Sequence, residues 1–293
     1  MQTSDILKRV RRIEIETGKL VTEMFAGEYL SVFKGQGIEF AEVRRYIPGD
    51  DVRSIDWNVS ARTGGVYVKK FNEERELNVV IACDISGSQF FGSTGRFKSE
   101  AVAELGAVFA FSAIKNHDKV GLLLFSDKVE LYIPPKKGRL HALRIIRELL
   151  AFKPKGRGTD IGLCLDTLNR VIKRKGILLL ISDFQGQGYE KPFKLSAKKF
   201  DLVPVLVEDP LEASLPKLPA FINMEGLEDG RDILLNLGGA GGKDLAERHA
   251  ENTGRALKLF SAAGTDFIKI DSSQNTIDPV IKFFKQRARK VRR

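Results

Sequence analysis

The chain has 293 residues, carries a net charge of +10, and is 43% hydrophobic and 29% charged. These values are ordinary for a soluble globular protein of one or two domains and exclude a low-complexity or collagen-like chain. No stretch reaches the ~18 consecutive apolar residues that a membrane-crossing helix needs.

In chain order, residues 1–20 read as an amphipathic helix, with Ile6, Val10, Ile13 and Leu20 at helical spacing between basic residues. Met1 to Lys19 has no apolar h-region, so no secretory leader is expected. Residues 27–68 are dense in Gly, Pro, Asp and Arg and suggest a small irregular β element held by turns, and 66–71 alternates like a strand. From Leu77 the pattern changes to continuous apolar strands alternating with helices. Strands are expected at 77–83, 120–125, 128–133 (a hairpin partner across Ser126-Asp127), 177–181, 202–207, 231–237 and 267–270. Helices are expected at 97–114, 139–151, 161–174, 189–199, 243–263 and 277–293. Buried strands alternating with helices imply an α/β fold with an open, mostly parallel sheet covered on both faces. The division expected is a helix and small irregular β cap over 1–75, then an α/β domain over 76–293 ending in a basic helix.

Cys83 and Cys164 each sit in an apolar segment and read as buried free thiols. Two cysteines make no disulfide framework, which with the missing leader points to the cytoplasm. The basic excess is local: Lys136–Lys175 holds twelve Lys or Arg against three acids, and the last twelve residues hold seven and no acid. Nucleic acid is a poor reading of the former, because Phe152 is its only aromatic for base stacking. The tail leaves a peripheral contact with an anionic membrane open. His117, His141 and His249 are scattered without metal-ligand spacing, and Gly238–Gly242 lacks the Gly-Lys-Ser/Thr ending of a P-loop and reads as a flexible connection.

Open α/β sheets bind ligands beyond the C-terminal ends of their strands. Three segments at such ends carry chemistry: Asp84-Ile85-Ser86-Gly87-Ser88, Gly156-Arg157-Gly158-Thr159-Asp160 and Ser182-Asp183-Phe184. Asp84, Ser86 and Ser88 can face one point if the loop curls at Gly87, with Thr159 and Asp183 adding a hydroxyl and a carboxylate. Such hard oxygen donors of low total charge suit Mg²⁺ or Mn²⁺, and the lack of His and Cys among them argues against zinc. This set resembles the metal-ion-dependent adhesion site of von Willebrand factor A domains, a Rossmann-like fold. The resemblance implies that Ser86, Ser88 and Thr159 ligate Mg²⁺ directly, that Asp84 and Asp183 bind directly or through water, and that a partner's carboxylate completes the shell.

Upstream lie Gly35-Gln36-Gly37-Ile38-Glu39-Phe40, then Arg44-Arg45-Tyr46-Ile47-Pro48-Gly49-Asp50-Asp51-Val52-Arg53-Ser54-Ile55-Asp56-Trp57, then Ala61-Arg62. This run resembles the hallmark of the bacterial family called domain of unknown function fifty-eight. Its members commonly accompany MoxR-type AAA+ ATPases, so the resemblance implies a partner or adaptor for such an ATPase and brings no established activity. Read physically, Pro48-Gly49 is a tight turn, and Asp50, Asp51 and Asp56 among Arg44, Arg45, Arg53 and Arg62 suggest bidentate pairs that fix a cap. Trp57 suggests an anchor onto the larger domain. The expectation is a metal-dependent binding module without a catalytic constellation. The alternative is a Mg²⁺-dependent phosphotransfer enzyme with Asp84 as nucleophile, although Ser86 stands where such enzymes place a second acid.

Overall fold

The computed structural model describes residues 39–72, 77–213, 221–227, 232–236 and 240–291. The helix expected over 1–20 lies outside them, as does the first part of the irregular region. Two compact units part at Leu77/Asn78, the smaller being Lys34–Leu77.

In the smaller unit, β1 (Glu39–Arg45) and β2 (Tyr67–Asn72) form an antiparallel ribbon. Between them lie a 3-10 turn, Val52–Ser54, and a helix, α1 (Trp57–Thr63). The sequence dictates both ends of α1: the Asp56 carboxylate accepts from the N–H of Asn58 and Val59, and Gly64 ends the helix at φ +74, a left-handed conformation that favours glycine. Arg44 and Asp50 make the expected bidentate pair, at 2.9 and 2.6 Å. The other two acids differ from expectation. Asp51 accepts from the Arg53 N–H, and Asp56 faces Lys69 at 3.5 Å and the helix amides, so both act mainly as caps. Arg53 and Arg62 are exposed. Trp57, expected to be an anchor, is 68% exposed. As the first residue of α1 it points outward, and the capping is done by the residue before it.

The larger unit is built on a six-stranded sheet ordered β10-β7-β6-β3-β4-β5. Its strands are β3 (Asn78–Asp84), β4 (Lys119–Phe125), β5 (Val129–Lys136), β6 (Ile177–Ser182), β7 (Asp201–Glu208) and β10 (Ile268–Asp271). All pairings are parallel except β4 with β5. Between β7 and β10 the chain adds an antiparallel hairpin, β8 (Phe221–Glu225) and β9 (Asp232–Asn236). This is the open, mostly parallel α/β sheet that the alternating pattern implied.

The helices are α2 (Lys98–Lys115), α3 (Arg139–Ala151), α4 (Ile161–Val171), α5 (Glu190–Lys199), the short α6 (Pro210–Ala213), α7 (Ala240–Ala262) and α8 (Ile277–Val291). Val80, Ala82, Leu178, Leu180 and Leu206 pack with Leu165 and Leu168 of α4, Phe193 of α5 and Phe260 of α7. Side chains alternate along a strand, so Val79 and Ile81 face the opposite layer. There α2 packs on α3, and Phe109 of α2 meets Phe284 of α8 at 6.4 Å. Each large apolar side chain buried in these layers contributes about 1.5–3 kcal/mol. Pro134 and Pro135 sit on the edge strand β5, where a missing N–H costs little and blunts edge pairing.

Three expectations are corrected. Strand β8 is not among the expected strands, because its short sequence lacks clear alternation. Helix α4 ends at Val171, before the charged run that follows. Ala240–Gly242 belong to α7 rather than to a connecting loop. Among the described residues no helix is long and apolar enough to cross a membrane.

Candidate metal centre

After β3 the chain goes to β4 and β5 on one side and then returns to β6 on the other, so β3 and β6 flank the topological switch point of the sheet. Crevices outside the strand ends at such points bind ligands. Asp84 closes β3, and Ser182 closes β6 with Asp183 following. Asp84, Ser86, Ser182 and Asp183 are at most 1% exposed.

The first loop curls as expected. The Ser86 N–H donates to Asp84 Oδ1 at 2.9 Å, and the Ser182 hydroxyl donates to Asp84 Oδ2 at 2.6 Å. Ser86 Oγ lies 3.1 Å from Ser88 Oγ, and the Ser88 hydroxyl donates to Asp183 Oδ2 at 2.7 Å. The Gly87 N–H donates to the Arg157 carbonyl at 2.7 Å, which ties this loop to the one carrying Thr159. A β-carbon placed at Gly186 would lie 3.8 Å from Thr159 Cγ2, so Thr159 also stands beside the Asp183 loop. The structure therefore gathers the five residues at one edge of the sheet.

The Thr159 loop is held from below. Glu130 Oε1 accepts from the Lys155 N–H (3.0 Å), the Gly156 N–H (2.6 Å) and the Ser126 hydroxyl (2.9 Å). Burial works against the Glu130 charge, but these donors outweigh it and keep the carboxyl below its usual range. A β-carbon at Gly156 would run into Asp127 Oδ1 and Ser126 Oγ, so a larger residue there requires both side chains to turn away. The Asp160 N–H donates to the Ser126 carbonyl, and the Asp160 carboxylate caps α4 through the Leu163 N–H.

Sequence reasoning missed Lys98. Its side chain is fully buried, and its ammonium donates to Asp183 Oδ2 at 2.9 Å and to Glu212 Oε1 at 2.6 Å. Burial works against the ammonium charge, but the two carboxylates outweigh it and hold the amine above its ordinary value. Burial also pushes Asp183 upward, and the Lys98 ammonium, Ser88 and the Gln185 N–H reverse this and leave it below the usual carboxylate range. Asp84 has no such cation: burial first, then the Asp183 charge, push it up to about 7. The sequence shows only a lysine at the first position of a helix, where its charge opposes the helix dipole, and nothing in it marks that lysine as buried. Asp209 and Glu212 were also missed, and Ser182 was quoted in its segment without a role. Asp209 is fully buried and accepts from the Ser93 N–H and hydroxyl, the Leu211 N–H and the Ser272 hydroxyl. Gln89, next to Ser88, is fully buried, and its amide has no hydrogen-bond partner among the described residues.

The donor set fits a small divalent cation. Cis oxygens around an octahedral ion with bonds of about 2.1 Å lie about 3 Å apart, and the Ser86–Ser88 and Ser88–Asp183 oxygens are 3.1 and 2.7 Å apart. Among the described residues no three His, Cys, Asp or Glu side chains cluster as ligands. The donors are two carboxylates supplemented by hydroxyls.

A curated relative from Mycobacterium tuberculosis, an uncharacterized protein, is 25% identical over 283 residues, which is 96% of this chain and 89% of the relative. Among solved structures, the conserved hypothetical protein BatB from Bacteroides thetaiotaomicron aligns over 73% of this chain and 99% of its own, with 18% identity and a TM-score of 0.45. Proximal thread matrix protein 1 from the mussel byssus, with a zinc-occupied MIDAS motif, aligns over 45% of this chain and 38% of its own, with 16% identity and a TM-score of 0.34. The family described as protein of unknown function DUF58 matches residues 42–251, and the chain belongs to it.

Proposed function

We propose that this chain is a metal-dependent protein-binding module. Asp84, Ser86, Ser88, Thr159 and Asp183 would hold a Mg²⁺ or Mn²⁺ ion, which when bound would supply one open position to a carboxylate of a partner. The observation that carries this reading is the run of side-chain oxygens from Ser86 through Ser88 to Asp183 at cis-ligand spacing, at the sheet's switch point. Beside it lies a cleft of about 590 Å³ lined by Gly87, Phe90, Leu150, Phe152, Pro154 and Arg157. Phe90 is 47% exposed there and Arg157 is exposed, so the surface suits an acidic residue flanked by apolar ones. The resemblance noted above makes a MoxR-type AAA+ ATPase the proposed partner. The phosphotransfer alternative is weaker, because both oxygens of Asp84 already accept hydrogen bonds and Ser86 stands where a proton donor would be needed.

Calorimetric titration with Mg²⁺ and Mn²⁺ tests the ion. Capture of the purified ATPase encoded nearest to this gene, with and without chelator, tests the contact. Binding that disappears with chelator and in Asp183→Ala is the expected result. Capture that survives both would overturn a metal-bridged contact.

A further inference from the structure

Asp183 Oδ2, the carboxylate oxygen 2.7 Å from Ser88 Oγ, already accepts from the ammonium of Lys98 at 2.9 Å. Lys98 cannot leave for solvent: it is 0% exposed and begins the helix that fills one face of the sheet. Its other partner, Glu212, is itself fixed, because Glu212 Oε2 accepts from the Asp209 N–H at 3.1 Å. Asp209 in turn is held by Ser93 and Ser272. One buried positive charge thus stands between a candidate metal ligand and a second carboxylate anchored to α6 and to the segment before α2.

We propose that Lys98 is a built-in cation that competes with the divalent ion for Asp183, so that ion affinity is set by how Lys98 divides between Asp183 and Glu212. This rests on the metal reading above and deepens it. With no ion, Lys98 neutralises Asp183 and keeps the buried carboxylate from standing unpaired. When an ion arrives, repulsion between it and the ammonium shifts Lys98 toward Glu212. Glu212 therefore favours ion binding without touching the ion. The device also gives occupancy a path to α6, since tightening the Lys98–Glu212 pair loads the Glu212–Asp209–Ser93 chain of hydrogen bonds.

The test uses the full chain and Mn²⁺ alone as probe, with affinity read by calorimetry and by the electron paramagnetic resonance of free Mn²⁺. Glu212→Gln leaves Lys98 wholly to Asp183, and Mn²⁺ affinity is expected to fall about tenfold. Lys98→Met combined with Glu212→Gln removes the competitor and its partner together, and affinity is expected to rise at least tenfold above wild type. A residue with a merely structural role would lower stability and move both affinities in the same direction or not at all, and either result overturns the proposal. Should the double variant not fold, the direction of the shift in Glu212→Gln decides alone. Wild-type protein that binds no Mn²⁺ sinks the metal reading of the natural chain; the competition survives that result only if the double variant binds, and falls with it if neither does. Wild-type binding without the opposed shifts sinks only the role of Lys98.

Discussion

The candidate metal edge, called the metal edge below, and the Arg44–Trp57 segment of the smaller unit are both rich in acidic and basic side chains, and they are built in opposite ways. At the metal edge the partners are far apart in sequence: Ser88 with Asp183, Ser182 with Asp84, Lys98 with Glu212. Most of these groups are fully buried. In the smaller unit the bonds are local, from Arg44 to Asp50, from Asp51 to the Arg53 N–H and from Asp56 to the first amides of α1, and apart from the buried Asp56 the residues are exposed or half-buried. Charges in water tolerate loss of a partner, and charges in a protein interior do not. The metal edge is therefore the place where single substitutions should be severe, and the smaller unit the place where they should be graded.

The largest effect is expected from Lys98→Met alone, which leaves the buried Asp183 and the half-buried Glu212 without their cation. Breaking a buried pair from one side costs about 3–5 kcal/mol, to be read as a lower urea midpoint without added metal. A loss below about 1 kcal/mol, the scale of exposed pairs, would mean that the burial contrast between the two regions is misjudged. Gly156→Ala comes next. Its new methyl would run into Asp127 Oδ1 and Ser126 Oγ. Overpacking of this kind costs about 1–3 kcal/mol, and the displaced Thr159 loop should weaken Mn²⁺ binding in calorimetry. Wild-type Mn²⁺ affinity in this variant would show that the loop's position does not matter to the site. Asp160→Ala removes one helix cap and should cost about 1 kcal/mol, again by urea denaturation, with Mn²⁺ affinity nearly unchanged.

The gathering of the candidate metal residues at one edge is legible in the sequence. Asp84, Ser86, Ser88, Thr159 and Asp183 are loop residues at the ends of strands whose apolar runs are unmistakable, and the α/β alternation places those ends together. Lys98, Glu212 and Asp209 were not legible, because their meaning comes from burial. Lys98 looks in sequence like any charged residue at a helix start, and Glu212 lies beyond a strand with no loop motif around it. The smaller unit departs in the other direction. Its charge density suggests several Arg–carboxylate pairs, but Asp51 and Asp56 are each followed by a helical turn with unpaired N–H groups, and a carboxylate satisfies those first. Residues 1–38 carry expectations that lie outside the described residues.

The smallest predicted effect separates the two regions most cleanly, because Trp57 is the chain's single tryptophan and stands beside Asp56. Its fluorescence reports the smaller unit, and far-UV circular dichroism is dominated by the larger one. The Arg44 guanidinium hydrogen bond holds the Asp50 carboxyl below its ordinary value, and the Val59 N–H does the same for Asp56. A depressed carboxylate stabilises fully above its unfolded value, about 3.9, and the contribution disappears as pH falls through the lower folded value. The Trp57 signal should therefore hold through mild acid and change only below the ordinary carboxylate range. In Arg44→Met, Asp50 loses its strongest restraint, so the Trp57 acid midpoint should move up while the far-UV transition stays in place. If both signals move together in that variant, the smaller unit does not respond as a region of local contacts, and the contrast drawn between it and the metal edge fails.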